Sequence, residues 1–352
     1  MSKKVGILTG GGDCPGLNGV IRGAVFRGSE RHDLEFVGIK FGWKGLLEKD
    51  TMPLSRDNVR DILAVGGTIL RTSRTNPAKS EESAKLAVEN FHQLGLDALI
   101  AIGGEDTLGA AYSLWQTDSS FAVVGVPKTI DNDLSGTDLT FGFDTAINIA
   151  VESIDRLVTT ARSHNRVLVV ELMGRHAGWI TIEAGLAGAA DIILIPERPF
   201  DIETDVFEPL KALRASGREY AIVAVSEGAK LKVKHDLDGS IFLQQAERDE
   251  FGHIRLGGIA KALSKEIEEN TGWESRHVVL GHLQRGGAPS AFDRYISTRF
   301  GIAAADAVAE GKSGVMVALR GLKVEPIPMT DEIKEIKRVP DELIDLLGLF
   351  SK

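Results

Sequence analysis

The sequence predicts an α/β protein built from two doubly wound, mainly parallel sheet domains. Nine short apolar segments alternate with segments of helical periodicity, the pattern of parallel sheets covered by helices on both faces. Several apolar segments end in glycine-rich turns, which suit tight strand-to-helix connections. A chain of 352 residues is longer than a domain with a single small hydrophobic core, so roughly two domains are expected. We expect the active site in the cleft between them.

Composition excludes several classes of protein. Apolar residues make up 43% of the chain and charged residues 26%, the balance of a globular rather than a disordered protein. The net charge of −9 argues against a nucleic-acid-binding surface. No apolar run reaches the roughly 18 residues that a membrane span needs. Cys14 is the only cysteine, so no internal disulfide can form and we expect a cytoplasmic protein.

The apolar runs and periodic segments place the elements in order. Strands are predicted at residues 5–8, 35–39, 98–102, 121–126, 167–172, 192–195, 220–225, 277–280 and 315–319. Helices are predicted at residues 17–31, 80–94, 143–162, 256–271 and 292–310. The polar segment 230–255 predicts a hairpin or long loop, and the charged tail 326–352 a helix near its end. We expect one domain of residues 1–141, completed by part of 284–335, and another of residues 142–283, completed by part of 305–352.

A glycine-rich turn follows the first strand. Gly10, Gly11 and Gly12 lie just before a predicted helix, where backbone N–H groups and the helix dipole favour a phosphate. The spacing matches neither a P-loop nor a dinucleotide fingerprint, so a tight turn without a ligand explains it equally well. In a later polar loop, Arg71 and Arg74 could clamp phosphate or could simply be solvated.

Two further predicted strands end in carboxylates. Glu105 and Asp106 follow a pair of glycines, which suits either a metal–phosphate edge or the acidic start of a helix. The strand 121–126 leads into Pro-Lys-Thr-Ile-Asp-Asn-Asp. In that motif Asp131 suits a general base, and Asp133 a group that orients the base or holds a metal. A polar turn is the plain alternative, because Asn and Asp are common turn residues.

The second half of the chain repeats this pattern, with polar residues after its apolar strands. We assign twelve ionisable residues to strand carboxyl ends: Arg74, Glu105, Asp106, Lys128, Asp131, Asp133, Arg166, Arg175, Glu227, Arg276, His282 and Arg285. This mixture fits phosphoryl transfer, in which cations and a metal spread the phosphoryl charge and a carboxylate accepts a hydroxyl proton. No Cys or Ser nucleophile with a His base is indicated.

Five motifs, taken together and in order, make the chain resemble the 6-phosphofructokinase family over about residues 1–320. They are Gly-Gly-Asp-x-Pro-Gly at 11–16, Gly-Gly-Glu-Asp-Thr at 103–107, Pro-Lys-Thr-Ile-Asp-Asn-Asp at 127–133, Met-Gly-Arg at 173–175 and Gly-His-Leu-Gln-Arg-Gly-Gly at 281–287. The combination is far more specific than any one of the motifs.

The resemblance implies a role for each matching residue. Asp131 would deprotonate the 1-hydroxyl of fructose 6-phosphate, with Asp133 and Thr129 in support, and Arg175 would steady the transition state. Gly12 would meet the transferred phosphoryl group, Arg74 would bridge the phosphates, and Glu105 would bind Mg²⁺, the implied cofactor. The sugar phosphate would be held by Met173, Gly174, Glu227, His282 and Arg285 and, from the neighbouring subunit of a homodimer or homotetramer, by Arg166 and Arg276.

Two positions indicate pyrophosphate as the phosphoryl donor. Family members that use ATP resemble Gly-Gly-Asp-Gly-Ser and Pro-Gly-Thr-Ile-Asp-Asn-Asp, whereas this chain has Asp106 and Lys128 at the discriminating positions, like the pyrophosphate-dependent branch. Asp106 would fill the space of a nucleotide's α-phosphate and repel its charge. Lys128 would supply an ammonium group to the compact diphosphate.

The expected reaction is therefore reversible phosphoryl transfer from pyrophosphate to fructose 6-phosphate, giving fructose 1,6-bisphosphate and phosphate in glycolysis or gluconeogenesis. An ATP-dependent 6-phosphofructokinase is the first alternative, and residues 106 and 128 discriminate between the two. A catalytically silent sugar-phosphate sensor is the second, since a fold alone does not establish activity. The presence of both Asp131 and Asp133 argues against the sensor.

Overall fold

The computed structural model describes residues 2–232 and 257–350. The loop expected at 230–255 lies outside these ranges from residue 233 onward. The strands are β1 Lys3–Thr9, β2 Leu34–Ile39, β3 Thr51–Leu54, β4 Ala98–Gly103, β5 Val123–Pro127, β6 Val167–Leu172, β7 Ile192–Leu194, β8 Ala221–Ser226, β9 Ser275–Val279, β10 Val315–Arg320 and β11 Lys323–Pro328. The α-helices are α1 Leu17–Arg31, α2 Trp43–Glu48, α3 Glu81–Gln93, α4 Glu105–Thr117, α5 Phe143–His164, α6 Trp179–Ala187, α7 Glu208–Ala215, α8 Ile259–Thr271, α9 Ala291–Ala309 and α10 Asp341–Phe350.

The chain divides into two compact units, each containing one sheet. In the part of the chain that the structure describes, the first unit comprises residues up to 130, 134–145 and 285–336. The second comprises 131–133, 146–284 and 337 onward. The motif that begins at Pro127 therefore crosses the division, because Lys128 and Thr129 belong to the first unit and Asp131 to the second. The expected boundary after residue 141 does not anticipate this early crossing.

The first unit has a seven-stranded sheet in the order β11-β10-β5-β4-β1-β2-β3. Its inner strands are parallel, while β3 and β11 pair antiparallel at the two edges. Side chains such as Leu8, Phe91 and Phe121 form its buried apolar core. Since β5, β4 and β1 are neighbours, the three loops that follow them emerge side by side at one edge of the sheet.

The second unit has a four-stranded sheet in the order β7-β8-β6-β9, and every pairing in it is parallel. Val169 and Val223 on the strands pack against Phe207, Leu263 and Trp273 in its core. The loops after β8, β6 and β9 share one edge of this sheet. The predicted α/β class with mainly parallel sheets is confirmed.

Two strands were not predicted, and both lie at sheet edges. β3 contains Pro53, and β11 contains Pro326 and Pro328. Proline lacks a backbone N–H and is therefore confined to edge strands, so a sequence pattern containing it favours a loop. No helix within the described residues is both long and apolar enough to cross a bilayer.

Candidate active site

The loops after β1, β4 and β5 are tied to one another by main-chain hydrogen bonds in the first unit. The Gly10 N–H donates to the Ile102 carbonyl at 2.9 Å, and the Lys128 N–H donates to the Gly103 carbonyl at 3.0 Å. These bonds continue the parallel ladder by one residue beyond the strands. They bring the glycine-rich turn, the Gly-Gly-Glu-Asp turn and the start of the Pro-Lys-Thr motif to one place.

The glycines of these loops leave no room for side chains. A Cβ at Gly10 would lie 2.5 Å from the Thr107 hydroxyl oxygen, and one at Gly103 would lie 2.3 Å from the Thr107 Cβ. Gly11 has a φ of +76°, a left-handed conformation that disfavours other residues. Glycine at positions 10 and 103 thus lets the main chain pack closely against Thr107. We call the glycines of these loops the glycine cradle (Gly10, Gly11, Gly12, Gly103 and Gly104).

Two cationic side chains reach the glycine cradle. Lys128 is 4% exposed, and its ammonium group donates to the Gly12 carbonyl at 2.5 Å. The Arg285 guanidinium donates to the Asp13 carbonyl at 3.2 Å and would lie 2.8 Å from a Cβ at Gly12. Backbone amides together with two cations are suited to a compact anion with several charges.

The loop that carries Arg74 is fastened to the same glycines. The Gly11 N–H donates to the Ser73 carbonyl at 3.2 Å, and the Thr72 hydroxyl donates to the Gly11 carbonyl at 2.5 Å. Arg74 itself is exposed. Thr129 is 9% exposed, and its carbonyl accepts the Thr140 hydroxyl at 2.7 Å. The structure therefore brings Gly12, Lys128 and Arg285 together and places the Arg74 loop beside them.

Glu105 and Asp106 form the first turn of α4, directly after the glycines of β4. Glu105 is exposed and Asp106 half-buried. Within the described residues, no group of three or more Asp, Glu, His or Cys side chains could hold a metal. One or two carboxylates fit Mg²⁺, which commonly takes its remaining ligands from water and substrate phosphates. The oxygen donors at this helix start therefore suit a metal that is bound together with a phosphate ligand.

Cys14 lies in the glycine-rich loop after β1, in an environment that disfavours a role as a nucleophile. The thiol is fully buried, and this burial raises its pKa well above the ordinary value. A thiol held protonated is a poor nucleophile. The sequence-based expectation of a mechanism without a Cys nucleophile agrees with this environment.

The second unit contributes the carboxylate-rich end of the Pro-Lys-Thr motif. Asp131 is 3% exposed and Asn132 is fully buried. Asn132 has a φ of +52°, a conformation that asparagine tolerates better than most residues. This left-handed residue interrupts the extended chain between Asp131 and Asp133. Asp131 and Asp133 therefore do not lie on one regular strand.

The loop after β6 is shaped by hydrogen bonds from neighbouring strand ends. The Met173 N–H donates to the Gln284 side-chain oxygen at 2.9 Å, and the Arg175 N–H donates to Glu227 Oε1 at 3.1 Å. Gly174 has a φ of +145°, and a Cβ there would lie 2.5 Å from the Ala177 carbonyl. Glu227 follows β8 and His282 follows β9, so Met173, Arg175, Glu227 and His282 all follow strands that end at this edge of the sheet.

The assignment of Arg166 and Arg276 to strand carboxyl ends was wrong. Arg166 precedes β6 and Arg276 is the second residue of β9, so both lie at the amino end of the sheet. There they share Glu274, with N–O distances of 3.1 Å and 2.8 Å. Because β6 has six residues at about 3.3 Å each, these arginines are roughly 20 Å from the Met173 loop. The sequence already indicated this placement, because both arginines directly precede the predicted strands 167–172 and 277–280.

Sequence reasoning missed three residues that hold these loops. The Gln284 side chain accepts the Met173 N–H, and the Lys337 N–H donates to the Asp133 carbonyl. The Asp293 carboxylate accepts the N–H groups of Gly142 and Thr145. Gln284 lies inside the Gly-His-Leu-Gln-Arg-Gly-Gly motif, and that position is the only feature of the sequence that marks it. Lys337 and Asp293 carry no local pattern that marks them.

Comparisons with known proteins agree with this geometry. The family model described as phosphofructokinase matches residues 4–308. The chain is 55% identical to the pyrophosphate–fructose 6-phosphate 1-phosphotransferase of Amycolatopsis methanolica, covering 99% of both chains. It is 49% identical to ATP-dependent 6-phosphofructokinase 3 of Streptomyces coelicolor, covering 96% of this chain and 97% of that one.

A solved structure supports the same assignment. The phosphofructokinase of Saccharomyces cerevisiae superposes with a TM-score of 0.79 at 30% identity, covering 95% of this chain. This chain spans 45% of the yeast chain. The predicted resemblance is thus confirmed, and the chain belongs to the phosphofructokinase family of phosphotransferases.

Proposed function

We propose that this protein transfers a phosphoryl group from pyrophosphate to the 1-hydroxyl of fructose 6-phosphate, giving fructose 1,6-bisphosphate and phosphate. The observation that carries the proposal is the buried Lys128 ammonium at the glycine cradle, with Asp106 at the start of α4. An ammonium fixed at this position favours a compact, highly charged donor. The name of the Amycolatopsis methanolica relative supports the same donor.

In this proposal the glycine cradle binds the diphosphate. The Gly12 amide region and the Arg285 guanidinium face the phosphoryl group that is transferred, and Lys128 offsets charge on its oxygens. Arg74, on the loop fastened to Gly11, binds the same anion from its other side. Since phosphoryl transfer depends mainly on positioning and charge stabilisation, these fixed donors supply much of the rate.

The carboxylate Asp131 serves as the general base. It accepts the proton of the sugar 1-hydroxyl as that oxygen forms its bond to phosphorus, while the bond from phosphorus to the bridging oxygen breaks and phosphate leaves. Asp133 and Thr129 support it, and Arg175 stabilises the charge that develops. Met173, Gly174, Glu227, His282 and Arg285 hold the sugar phosphate.

Mg²⁺ is the proposed cofactor, held by Glu105 together with oxygens of the diphosphate. When bound, it would neutralise phosphate charge and so favour departure of the leaving phosphate. Glu105 is exposed at the first turn of α4, which leaves it accessible to water molecules that can mediate the contact.

The proposal is tested by supplying purified protein, fructose 6-phosphate and Mg²⁺ with either pyrophosphate or ATP. We expect fructose 1,6-bisphosphate with pyrophosphate and little or none with ATP. Because pyrophosphate transfer is close to balanced, the reverse reaction from fructose 1,6-bisphosphate and phosphate should also proceed. Turnover with ATP alone would contradict the choice of donor while leaving the family and the base unchanged.

An ATP-dependent 6-phosphofructokinase is the second candidate. It is favoured by the Streptomyces coelicolor relative named as ATP-dependent, which is 49% identical to this chain. The parallel assay with the two donors separates the candidates, because the acceptor and the metal are the same in both arms.

We further propose that Arg166 and Arg276 bind the 6-phosphate of a sugar held by a neighbouring copy of the chain. Their place at the opposite end of the sheet from Met173 supports this, because one chain cannot bring both groups to one sugar. The Arg276 side chain is 52% exposed. Mixing the inactive variants Arg276→Ala and Asp131→Asn should restore part of the activity when copies exchange. No restoration in exchanged mixtures would contradict a shared site.

A further inference from the structure

Lys337 connects the C-terminal tail to the residues around the proposed base. Its backbone N–H donates to the Asp133 carbonyl at 2.8 Å, and its ammonium group donates to Asn132 Oδ1 at 2.8 Å. Both bonds join residues of the second unit. Lys337 therefore contacts the two residues that follow Asp131, one through its main chain and the other through its side chain.

Lys337 also contacts the helix that follows the Met173–Arg175 loop. Its carbonyl accepts the Trp179 indole N–H at 2.8 Å, and its ammonium lies 5.3 Å from the centre of a Trp179 ring, within cation–π range. Trp179 is the first residue of α6. The same lysine thus links the Asp131 segment to the helix that begins after Arg175.

The tail is held in place independently of the lysine side chain. Glu197 accepts the Val339 N–H at 3.1 Å and also the Gly178 N–H at 2.9 Å. Val339 is 4% exposed and packs inside the unit. Removing the Lys337 ammonium would leave these bonds and the two backbone bonds of Lys337, so the tail would keep its position.

Asn132 is the residue at which such support matters. It is fully buried with a φ of +52°, a backbone conformation that costs free energy unless surrounding contacts hold it. The ammonium of Lys337 fixes the Asn132 side chain, and with it the turn that separates Asp131 from Asp133. Charge-assisted hydrogen bonds of this kind are roughly twice as strong as neutral ones.

We infer that Lys337 is a positioning residue that holds the Asp131–Asp133 turn in its catalytic geometry relative to α6. The inference rests on the proposed role of Asp131 as the base. Lys337 lies beyond the residues 4–308 matched by the family model, so the role belongs to the tail of this chain. It touches the neighbours of the base and would not itself need to contact substrate.

The test replaces Lys337 with Met, which retains the aliphatic stem and removes the charge. A small displacement of a reacting group can lower the rate about 100-fold, so we expect kcat to fall by roughly 10- to 100-fold. Both KM values should stay within about twofold, because the binding groups are untouched. Lys337→Arg, which keeps a cationic donor, should recover most of kcat. Lys265→Met is the matched control, since Lys265 is an exposed lysine of the second unit paired with Glu269.

Hydrogen exchange provides a readout that does not require activity. In Lys337→Met, the peptide containing residues 131–134 should exchange faster than in the wild type, and in Lys265→Met it should not. An unchanged kcat, or unchanged exchange of this peptide, would overturn the inference. If the wild type turns over with neither donor, the proposed function fails, and the exchange comparison still decides whether Lys337 holds the turn.

Discussion

The two units use their strand ends in different ways. In the first unit, the edge formed by β1, β4 and β5 is rich in glycine, with the Lys128 and Arg285 side chains beside the main chain. In the second unit, the edge formed by β6, β8 and β9 carries larger side chains, including Met173, Glu227 and His282. The first edge is therefore formed largely by main chain, and the second edge largely by side chains.

This difference matches the chemistry of the two proposed substrates. Pyrophosphate presents only charged oxygens, which backbone amides and cations bind without regard to detailed shape. A sugar phosphate presents hydroxyl groups in a fixed arrangement, which requires individually placed side chains. We therefore expect changes at the glycine cradle to affect the donor, and changes at the second edge to affect the sugar.

The largest effect on activity is expected from Asp131→Asn. Asp131 is proposed to bind neither the donor nor the sugar and to act as the base. Loss of a general base lowers kcat by about 10²- to 10⁴-fold, because the hydroxyl proton has no acceptor. KM for both substrates should change little in steady-state kinetics. Asp155→Asn, on an exposed position of α5, serves as the control. A kcat within tenfold of the wild type would mean that another group is the base.

An effect mainly on the donor is expected from Gly12→Ala, with a smaller effect on fructose 6-phosphate because Arg285 is also proposed to hold the sugar phosphate. The new Cβ would lie 2.8 Å from Arg285 Nη1, so the guanidinium must move away from the glycine cradle. Since this nitrogen ends a flexible side chain, the shift costs little strain, and displacement of the cation should lower kcat/KM for pyrophosphate by roughly tenfold, about 1.4 kcal/mol. Gly109→Ala in α4 is the control, because a Cβ there meets nothing within 4 Å. An equal loss in both variants would refute the steric explanation.

The matching change at the second edge is Glu227→Gln. The carboxylate accepts the Arg175 N–H at 3.1 Å, and the amide would weaken that bond and any bond to a sugar hydroxyl. Hydrogen bonds to charged groups contribute about 1.5–3 kcal/mol, so KM for fructose 6-phosphate should rise by roughly tenfold or more. KM for pyrophosphate should not change. Glu219→Gln is the control, since exposed Glu219 precedes the other end of β8. A change in KM for pyrophosphate alone would reverse the assignment of the two edges.

In the first unit, Asp293 is expected to affect the free energy of unfolding and its dependence on pH. Asp293 is fully buried, and its carboxylate accepts N–H groups of Gly142 and Thr145, both at 2.8 Å. Burial raises its pKa to about 6 from 3.8, and nearby Asp144 adds to the rise. The folded protein therefore holds this proton more tightly than the unfolded chain, so the stabilisation is present below pH 3.8 and is lost as pH rises through 6.

Denaturant unfolding of wild type and Asp293→Asn at several pH values measures this contribution. The free energy of unfolding of the wild type, minus that of the variant, should fall by on the order of 2 to 3 kcal/mol between pH 4 and 7. Asp57→Asn, at an exposed first-unit position, should show no such trend. A difference that is constant or rises with pH would contradict the raised pKa.

Local patterns predicted what depends on local chemistry. The nine predicted strands reflect apolar runs, and the glycine cradle reflects glycine-rich turns that the sequence shows directly. The contact between Lys337 and Asn132 spans 205 residues, and that between Gln284 and Met173 spans 111, so neither leaves a pattern in nearby sequence. The misplacement of Arg166 and Arg276 was not of this kind, because chain order alone puts both residues at the amino ends of their strands.

The donor ratio of the double variant Asp106→Gly, Lys128→Gly tests the central claim most directly. The measurement is kcat/KM for pyrophosphate and for ATP, in the wild type and the variant, with fructose 6-phosphate and Mg²⁺ held constant. Removing the charge and bulk at residue 106 and the ammonium at residue 128 should raise the ATP-to-pyrophosphate ratio by about 100-fold or more, roughly 2.7 kcal/mol. A variant that loses pyrophosphate activity without any gain with ATP would contradict the claim that these two residues select the donor.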